Sequence, residues 1–313
     1  MIINTGGRTD LVHFYSKWLL ERFRQGFVYV RNPMYPEKLT KYTLSPDTVD
    51  CVIFCSKNYE PILPHLEEIT SRFNTYFFYT ITAYGKDIEK NIPDIDKSID
   101  TLIKLERIAG KKRIAWRYDP VLLNKKYTVQ QHLITFEHMT ARLHQHVDTC
   151  IFSFVQLYKK LEQNFPQLEA VPQDAREELA KGFGKIAAKY RMKIKICADK
   201  TDYSHWGIQR EGCVTLDILG KSNDLDFRPL KHTGMRSNCL CIKSNDIGAY
   251  DTCPGGCLYC YANTDHKLAE ENFRKHKDNS PILTGSIGPM EEISPARQKS
   301  FLVNPPPQLL LFE

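Results

Sequence analysis

A chain of 313 residues, 42% of them hydrophobic, carries enough apolar material for a sizeable core and falls between one large domain and two ordinary ones. Its net charge of +6 is a small difference between 43 basic and 37 acidic residues, a thinly spread excess that mildly favours an anionic partner. No stretch approaches the roughly 20 uninterrupted apolar residues of a membrane helix, and the opening MIINTGGRTD lacks a basic segment followed by an apolar one, so a cytoplasmic location is expected.

In chain order, short β-rich runs alternate with longer amphipathic ones at least six times. That is the pattern of a parallel sheet with helices outside it. Residues 1–5 form the first predicted strand. The helix after it takes Thr9 or Asp10 as N-cap, lines Leu11, Phe14, Tyr15 and Trp18 along one face, and ends at Gly26. Further strands are predicted at 28–30, 49–55, 76–82, 113–118, 149–154 and 193–197, the first of them as a side ribbon. Helices are predicted at 64–73, 96–109, 129–144 and 173–190, the last with Asp174 in its first turn, where negative charge suits the helix dipole. After about residue 198 the pattern breaks into short segments punctuated by glycine and cysteine, and the tail after 280 reads as loosely ordered. The expected division is 1–198 for the β/α units, 199–265 for a cysteine-rich extension that completes the barrel, and 266–313 for a tail.

Seven of the ten cysteines follow residue 190, a crowding that in a reducing compartment suggests metal rather than disulfides. Cys51, Cys55 and Cys150 lie in apolar β-rich runs, where a thiol packs as a small hydrophobe. In DTCPGGCLYCYAN, Cys253, Cys257 and Cys260 have the spacing Cys-x3-Cys-x2-Cys, with Pro254, Gly255 and Gly256 in the first gap. A glycine-rich gap lets thiolates converge on a cubane iron-sulfur cluster from different directions, and backbone amides stabilise the sulfur charge. Three ligands leave one iron open. Structural zinc usually takes four ligands as two pairs, a spacing the triplet lacks. Cys197, Cys213, Cys239 and Cys241 are candidates for a second, fully ligated four-iron four-sulfur cluster. The alternative makes Cys197 and Cys213 buried strand residues and leaves Cys239 and Cys241 as ligands.

The triplet resembles the radical S-adenosylmethionine (SAM) superfamily, whose signature has this spacing with an aromatic residue before the last cysteine, the place of Tyr259. The resemblance implies a four-iron four-sulfur cluster on Cys253, Cys257 and Cys260 whose open iron chelates the amino and carboxylate groups of SAM. An electron from a donor such as flavodoxin or ferredoxin would then cleave the sulfonium and yield a 5′-deoxyadenosyl radical. Tyr259 would lie beside the adenine, with Leu258 and Tyr261 packed against the barrel.

Further segments resemble a narrower bacterial family, domain of unknown function eighteen-forty-eight, over about residues 1–265. They are RTD from Arg8 to Asp10, RNP from Arg31, KN at Lys57 and Asn58, WRYDP from Trp116, and DIGAYDTCPGGCLYCYAN from Asp246. The chain departs from that pattern at Gly6 and Gly7, where serine and arginine are expected, and at Tyr59, where proline is expected.

Taken together, the resemblances imply an α/β fold, a (β/α) barrel or partial barrel of radical SAM type with a C-terminal iron-sulfur extension. The superfamily carries its cysteine loop after the first strand, whereas here the loop begins at Cys253, so a circularly permuted order is expected. Residues 246–250 would then form a strand beside the N-terminal one, with the loop leaving its C-terminal end. Gly6 and Gly7 would follow the next strand, where the superfamily has a glycine-rich segment that receives the SAM amino group; a tight turn is the alternative.

Polar residues at the strand ends are the candidates for SAM and substrate contacts: Arg8 and Asp10, Lys57 and Asn58, Thr82 and Tyr84, Arg117 and Asp119, and Ser153. Arg8, Asp10, Lys57, Asn58, Arg117 and Asp119 are the catalytic candidates among them. Arg117 and Asp119 alternate with Trp116 and Tyr118 and so share one side of an extended chain, where burial would require partners for both charges. The alternatives are a structural ion pair, or a turn opened by Asp119 before Pro120. The expected activity is reductive cleavage of SAM, with a metal-stabilised binding module for nucleic acid as the competing function, suggested by the basic stretch at 111–113.

Overall fold

A computed structural model describes residues 1–229 and 238–305. From the N-terminus the chain runs β1 (Ile2–Asn4), α1 (Leu11–Phe14), α2 (Ser16–Gln25), β2 (Phe27–Arg31), β3 (Lys38–Thr43), β4 (Cys51–Ser56), α3 (Glu67–Thr70) and β5 (Thr75–Thr80). There follow α4 (Ile95–Ala109), β6 (Ile114–Val121), α5 (Val129–Leu143), β7 (Thr149–Phe154), α6 (Leu161–Asn164), α7 (Gln173–Lys189) and β8 (Lys193–Ile196). The last elements are β9 (Ile208–Gln209), α8 (Leu216–Asn223), β10 (Asn245–Asp246), α9 (His266–Arg274) and β11 (Glu292–Pro295).

Eight strands form one sheet in the order β10, β1, β4, β5, β6, β7, β8, β9, with every neighbouring pair parallel. Successive strands lie side by side, as in a barrel, without the reversal of a doubly wound sheet. The sheet is open, however. Its edges, β9 and β10, are two residues each and pair with nothing further among the described residues, so of the two expected forms the closed barrel is corrected to an open parallel sheet.

The C-terminal strand stands beside the N-terminal one as expected, with Ile3 opposite Asn245 and Asn4 opposite Asp246. It is shorter than the predicted 246–250 and starts one residue earlier. Its end has a local cause: Asp246 Oδ1 accepts the Gly248 N–H at 2.9 Å, and that turn takes the backbone out of the ladder.

Because β5 is covered on both sides, every residue of TYFFYT is buried. One face of the sheet packs Phe54, Phe77, Trp116, Phe152 and Ile194 against Trp18, Leu102, Phe136 and Phe183 of the helices. The alternating residues of the other face, Ile53, Phe78, Ala115 and Ile151 among them, meet Cys197, Cys213, Val214, Leu219, Cys241 and Ile242. That second layer comes from α8 and the segments flanking it.

The first helix is two. Asp10 caps α1 by accepting the His13 N–H at 2.9 Å, Tyr15 interrupts, and α2 ends at Gly26 in the left-handed region at φ 77°. Residues 64–73 are not one helix: the chain makes a 3-10 turn at Leu63–His65, with Pro64 inside it, and then the four-residue α3. β6 continues through Pro120 to Val121, so Asp119 does not begin a turn.

The tail is better ordered than expected. β11 pairs in parallel with β3, which is antiparallel to β2, so the predicted side ribbon has three strands. Ser300 Oγ and the Phe301 N–H then bind the Asp50 carboxylate at 2.6 and 2.8 Å. Residues 306–313 of that tail lie outside the described residues. Among the described residues no helix is long and apolar enough to cross a membrane.

A buried histidine gives the core an acid-sensitive point. His132 is fully buried, with Nδ1 2.7 Å from the Tyr118 hydroxyl and Nε2 2.8 Å from the Leu122 carbonyl oxygen. Burial pushes its pKa down to about 4, against about 6.5 in an unfolded chain. The unfolded state therefore binds the proton first as pH falls. His132 favours folding fully above pH ~6.5 and loses that contribution down to pH ~4, at up to about 1.4 kcal/mol per unit. Urea unfolding at pH 7, 5.5 and 4.5 is expected to show this fall, and His132→Phe is expected to flatten it by about one proton's worth of slope.

Candidate functional site at the strand ends

The cysteine loop is fastened from three sides. Ile247 N–H donates to the Asn4 carbonyl at 3.1 Å, extending the contact of β10 with β1. The Tyr15 hydroxyl donates to the Thr252 carbonyl at 2.5 Å, and Asn263 Nδ2 to the Cys253 carbonyl at 2.7 Å. The segment after β5 supplies the third side: Asn91 N–H and Nδ2 donate to the Gly255 and Pro254 carbonyls at 3.1 and 2.7 Å, and the Leu258 N–H donates to Ile88 at 3.0 Å. Gly256 turns the loop at φ +66°, a backbone conformation that a side chain would strain.

This fastening brings Cys253, Cys257 and Cys260 within electrostatic range of one another. Burial raises all three thiol pKa values, to about 12 for Cys253, and the neighbouring sulfurs add to the shift at Cys253 and Cys257. Opposing donors are already in place. The N–H groups of Asp10 and Gly255 bind the Cys253 sulfur, those of Ala262 and Asn263 bind Cys260, and Lys57 lies within range of Cys257 and Cys260. Thiols in such a place stay protonated until a metal displaces the proton.

Beside the loop, Glu89 is 3% exposed and its Oε1 accepts from Lys57 Nζ at 2.8 Å, from Thr82 Oγ1 at 2.6 Å and from the Tyr259 hydroxyl. Burial opposes the Lys57 charge, but Glu89 and Cys257 hold its pKa above the usual lysine value. The Tyr259 side chain is therefore committed inward, with its ring 5.7 Å from Tyr84 and Lys57 Nζ 5.7 Å from its centroid. Leu258 packs against the core as expected. Tyr261 does not: it is 45% exposed and its hydroxyl donates to the Gly7 carbonyl at 2.6 Å.

The other strand-end candidates divide by what they already hold. Asp10 caps α1 with one oxygen and accepts the Lys57 N–H with the other at 2.9 Å, and Asn58 Oδ1 accepts the Glu60 N–H at 3.0 Å, so both fasten backbone. The Gly6 and Gly7 N–H groups donate to Asn4 Oδ1 at 3.0 Å and Asp246 Oδ2 at 2.6 Å. A Cβ on Gly6 would lie 2.1 Å from the Cys55 carbonyl oxygen, so close approach of two strand ends requires glycine there. Tyr84 spans Pro120 and Leu122 through its hydroxyl, at 2.8 Å to each. Arg8 and Lys160 both lie over the exposed Tyr250 ring, at 5.6 and 5.3 Å.

On the second face of the sheet, Arg117 is paired with Asp119, which also accepts from Ser153 Oγ. Burial opposes the guanidinium charge, but Asp119, Cys213, Cys55 and Cys197 together hold Arg117 well above its ordinary pKa. Around it the four remaining candidate ligands meet in sequence. The Cys213 thiol is within hydrogen-bonding reach of Cys197 and Cys241, and Cys241 within reach of Cys239. No three ligating side chains among the described residues already surround the position of a single metal ion.

Glu89, Lys160 and Asp246 were not among the expected site residues. Glu89 lies between elements, where no periodicity marks it. Asp246 stands in the strand that had been expected one residue later.

These features define an α/β protein with an open parallel sheet and a cysteine-bearing loop at the strand ends. The chain belongs to the family described as "Domain of unknown function (DUF1848)", which matches residues 2–262. No curated protein matches it. Among solved structures it is similar to one described as a "putative alpha-L-fucosidase from Bacteroides thetaiotaomicron VPI-5482", at 15% identity and a TM-score of 0.28, over 52% of this chain and 49% of that one. The match spans about half the length of that protein, and at such a score neither fold nor activity transfers.

Proposed function

We propose that the chain is a radical SAM enzyme that holds a four-iron four-sulfur cluster on Cys253, Cys257 and Cys260 and cleaves SAM reductively. The observation that carries this reading is the Cys-x3-Cys-x2-Cys loop fixed at the strand ends with its three thiols mutually in range. The residues present fit the group. Each ligand of a cubane binds a different iron, so the sulfurs need not share one point, and backbone N–H groups are already directed at two of them. Consecutive parallel strands, with the loop leaving β10 beside β1, support a partial barrel of permuted order.

When bound, the cluster supplies one electron to the SAM sulfonium through its open iron. The chain's own residues set the conditions for it. Lys57 places a positive charge beside Cys257 and Cys260, which offsets thiolate charge, and Glu89 fixes Lys57 in place. Arg8, Lys160, Tyr250 and Tyr261 stand at the exposed rim, where SAM and the substrate would be held. The electron would come from a flavodoxin- or ferredoxin-type donor.

Anaerobically reconstituted protein is expected to bind iron and sulfide in equal amounts and, with dithionite, to convert SAM to methionine and 5′-deoxyadenosine, measured by chromatography. Intact SAM in the presence of a spectroscopically verified reduced cluster would count decisively against this function.

A further inference from the structure

The four cysteines on the second face of the sheet are not part of the SAM site, and their contacts bear on what they bind. We propose that Cys197, Cys213, Cys239 and Cys241 form a separate structural site for one tetrahedral divalent cation, zinc by preference, and not a second cubane cluster.

The distinction rests on how far apart the sulfurs stand. Ligands of a single tetrahedral ion with metal–sulfur bonds of about 2.3 Å stand ~3.8 Å from one another, essentially in contact. A cubane lies between its ligands, each on a different iron, and keeps them well out of contact. Here the sulfurs touch: Cys213 reaches both Cys197 and Cys241, and Cys241 reaches Cys239.

Two further features suit thiolates. Cys241 Sγ accepts the Cys213 N–H at 3.1 Å and also binds the Val214 N–H, so its charge is met by backbone donors before any metal arrives. Its pKa lies below the ordinary thiol value because Cys213 and Cys239 donate to it, while that of Cys213 is raised by the same sharing. The Arg117 guanidinium lies within range of Cys213 and Cys197, where it offsets part of the double negative charge of a divalent ion with four thiolates.

The contacts run in a line, Cys239 to Cys241 to Cys213 to Cys197, and no three of these side chains yet surround one position. Closing the shell takes rotation at the two ends of the line, between staggered side-chain wells of similar energy. The thiol protons pass to solvent as the ion binds. The site joins the segment after β8 to both flanks of α8, so the ion would pin that helix to the sheet.

The test separates this site from the SAM cluster by removing the latter. A full-length variant with Cys253, Cys257 and Cys260 all changed to Ala, purified without oxygen, is expected to retain about one zinc per chain. Exchange into cobalt(II) is expected to give the intense near-ultraviolet thiolate band and the visible bands of tetrahedral sulfur coordination. In that background Cys239→Ser, at the least buried of the four, is expected to lower occupancy roughly tenfold or more. Cys51→Ser, at a buried thiol outside the group, is expected to leave occupancy unchanged. A folded triple variant with no bound metal would overturn the proposal, and so would iron and sulfide bound at four each.

Discussion

Changing Cys253, Cys257 or Cys260 singly to alanine is expected to bring 5′-deoxyadenosine formation below about 1% of the unsubstituted protein, because ligands that act as a unit do not lose function in proportion. Bound iron and sulfide should fall with it. The fold should survive, since the loop is held by the backbone and side-chain contacts of Asn91, Asn263, Tyr15 and Ile88, none of which uses a cysteine sulfur. Removing one sulfur atom costs about 1 kcal/mol of packing, and part of that is regained because burial disfavours these thiols in their charged form. Cys51→Ala supplies the contrast: its thiol is fully buried in β4, so it should lower the melting temperature while leaving the iron in place. Iron and sulfide analysis beside circular dichroism distinguishes the two outcomes. Full loading and turnover in Cys257→Ala would remove the triplet from the chemistry.

The parts of the molecule that were legible in the sequence are those whose causes are local. The apolar run TYFFYT marks β5 because that strand is covered on both faces, and Asp10 and Gly26 mark a helix start and stop because capping needs only neighbouring residues. The cysteine spacing is equally local. β11 was missed because its partner, β3, lies at the other end of the chain and none of its residues is buried. α8 is short, and nothing in its own residues announces that it covers the second face of the sheet. Glu89 was invisible for a related reason: its importance lies wholly in Lys57, Thr82 and Tyr259, which reach it from three different segments. Arg117 and Asp119 could be assigned to one side of a strand by alternation alone, but which face that was depended on where α8 would pack.

Glu89 carries the second large expectation. In Glu89→Ala the Lys57 ammonium, on a side chain 14% exposed, loses its counter-charge, and the Thr82 and Tyr259 hydroxyls lose their acceptor. Breaking a buried pair from one side costs about 3–5 kcal/mol, more than the pair contributes relative to apolar neighbours, because an uncompensated charge stays behind. Removing both charges should therefore be milder than removing one. Glu89→Gln with Lys57→Met is expected to recover roughly 2 kcal/mol of the loss caused by Glu89→Gln alone, read from urea unfolding of the four proteins of the cycle. Function should not recover in parallel. Glu89 also pairs through its backbone with Cys257, so the stabilised double variant keeps the loop in place but lacks the positive charge beside Cys257 and Cys260. Its iron-sulfur centre is accordingly expected to assemble and to show a lower reduction potential, since each lost positive charge makes an added electron less favourable. A cost below about 1 kcal/mol for Glu89→Ala would mean that Lys57 escapes to water when its partner is removed. In that case its charge would be too well solvated to tune the centre.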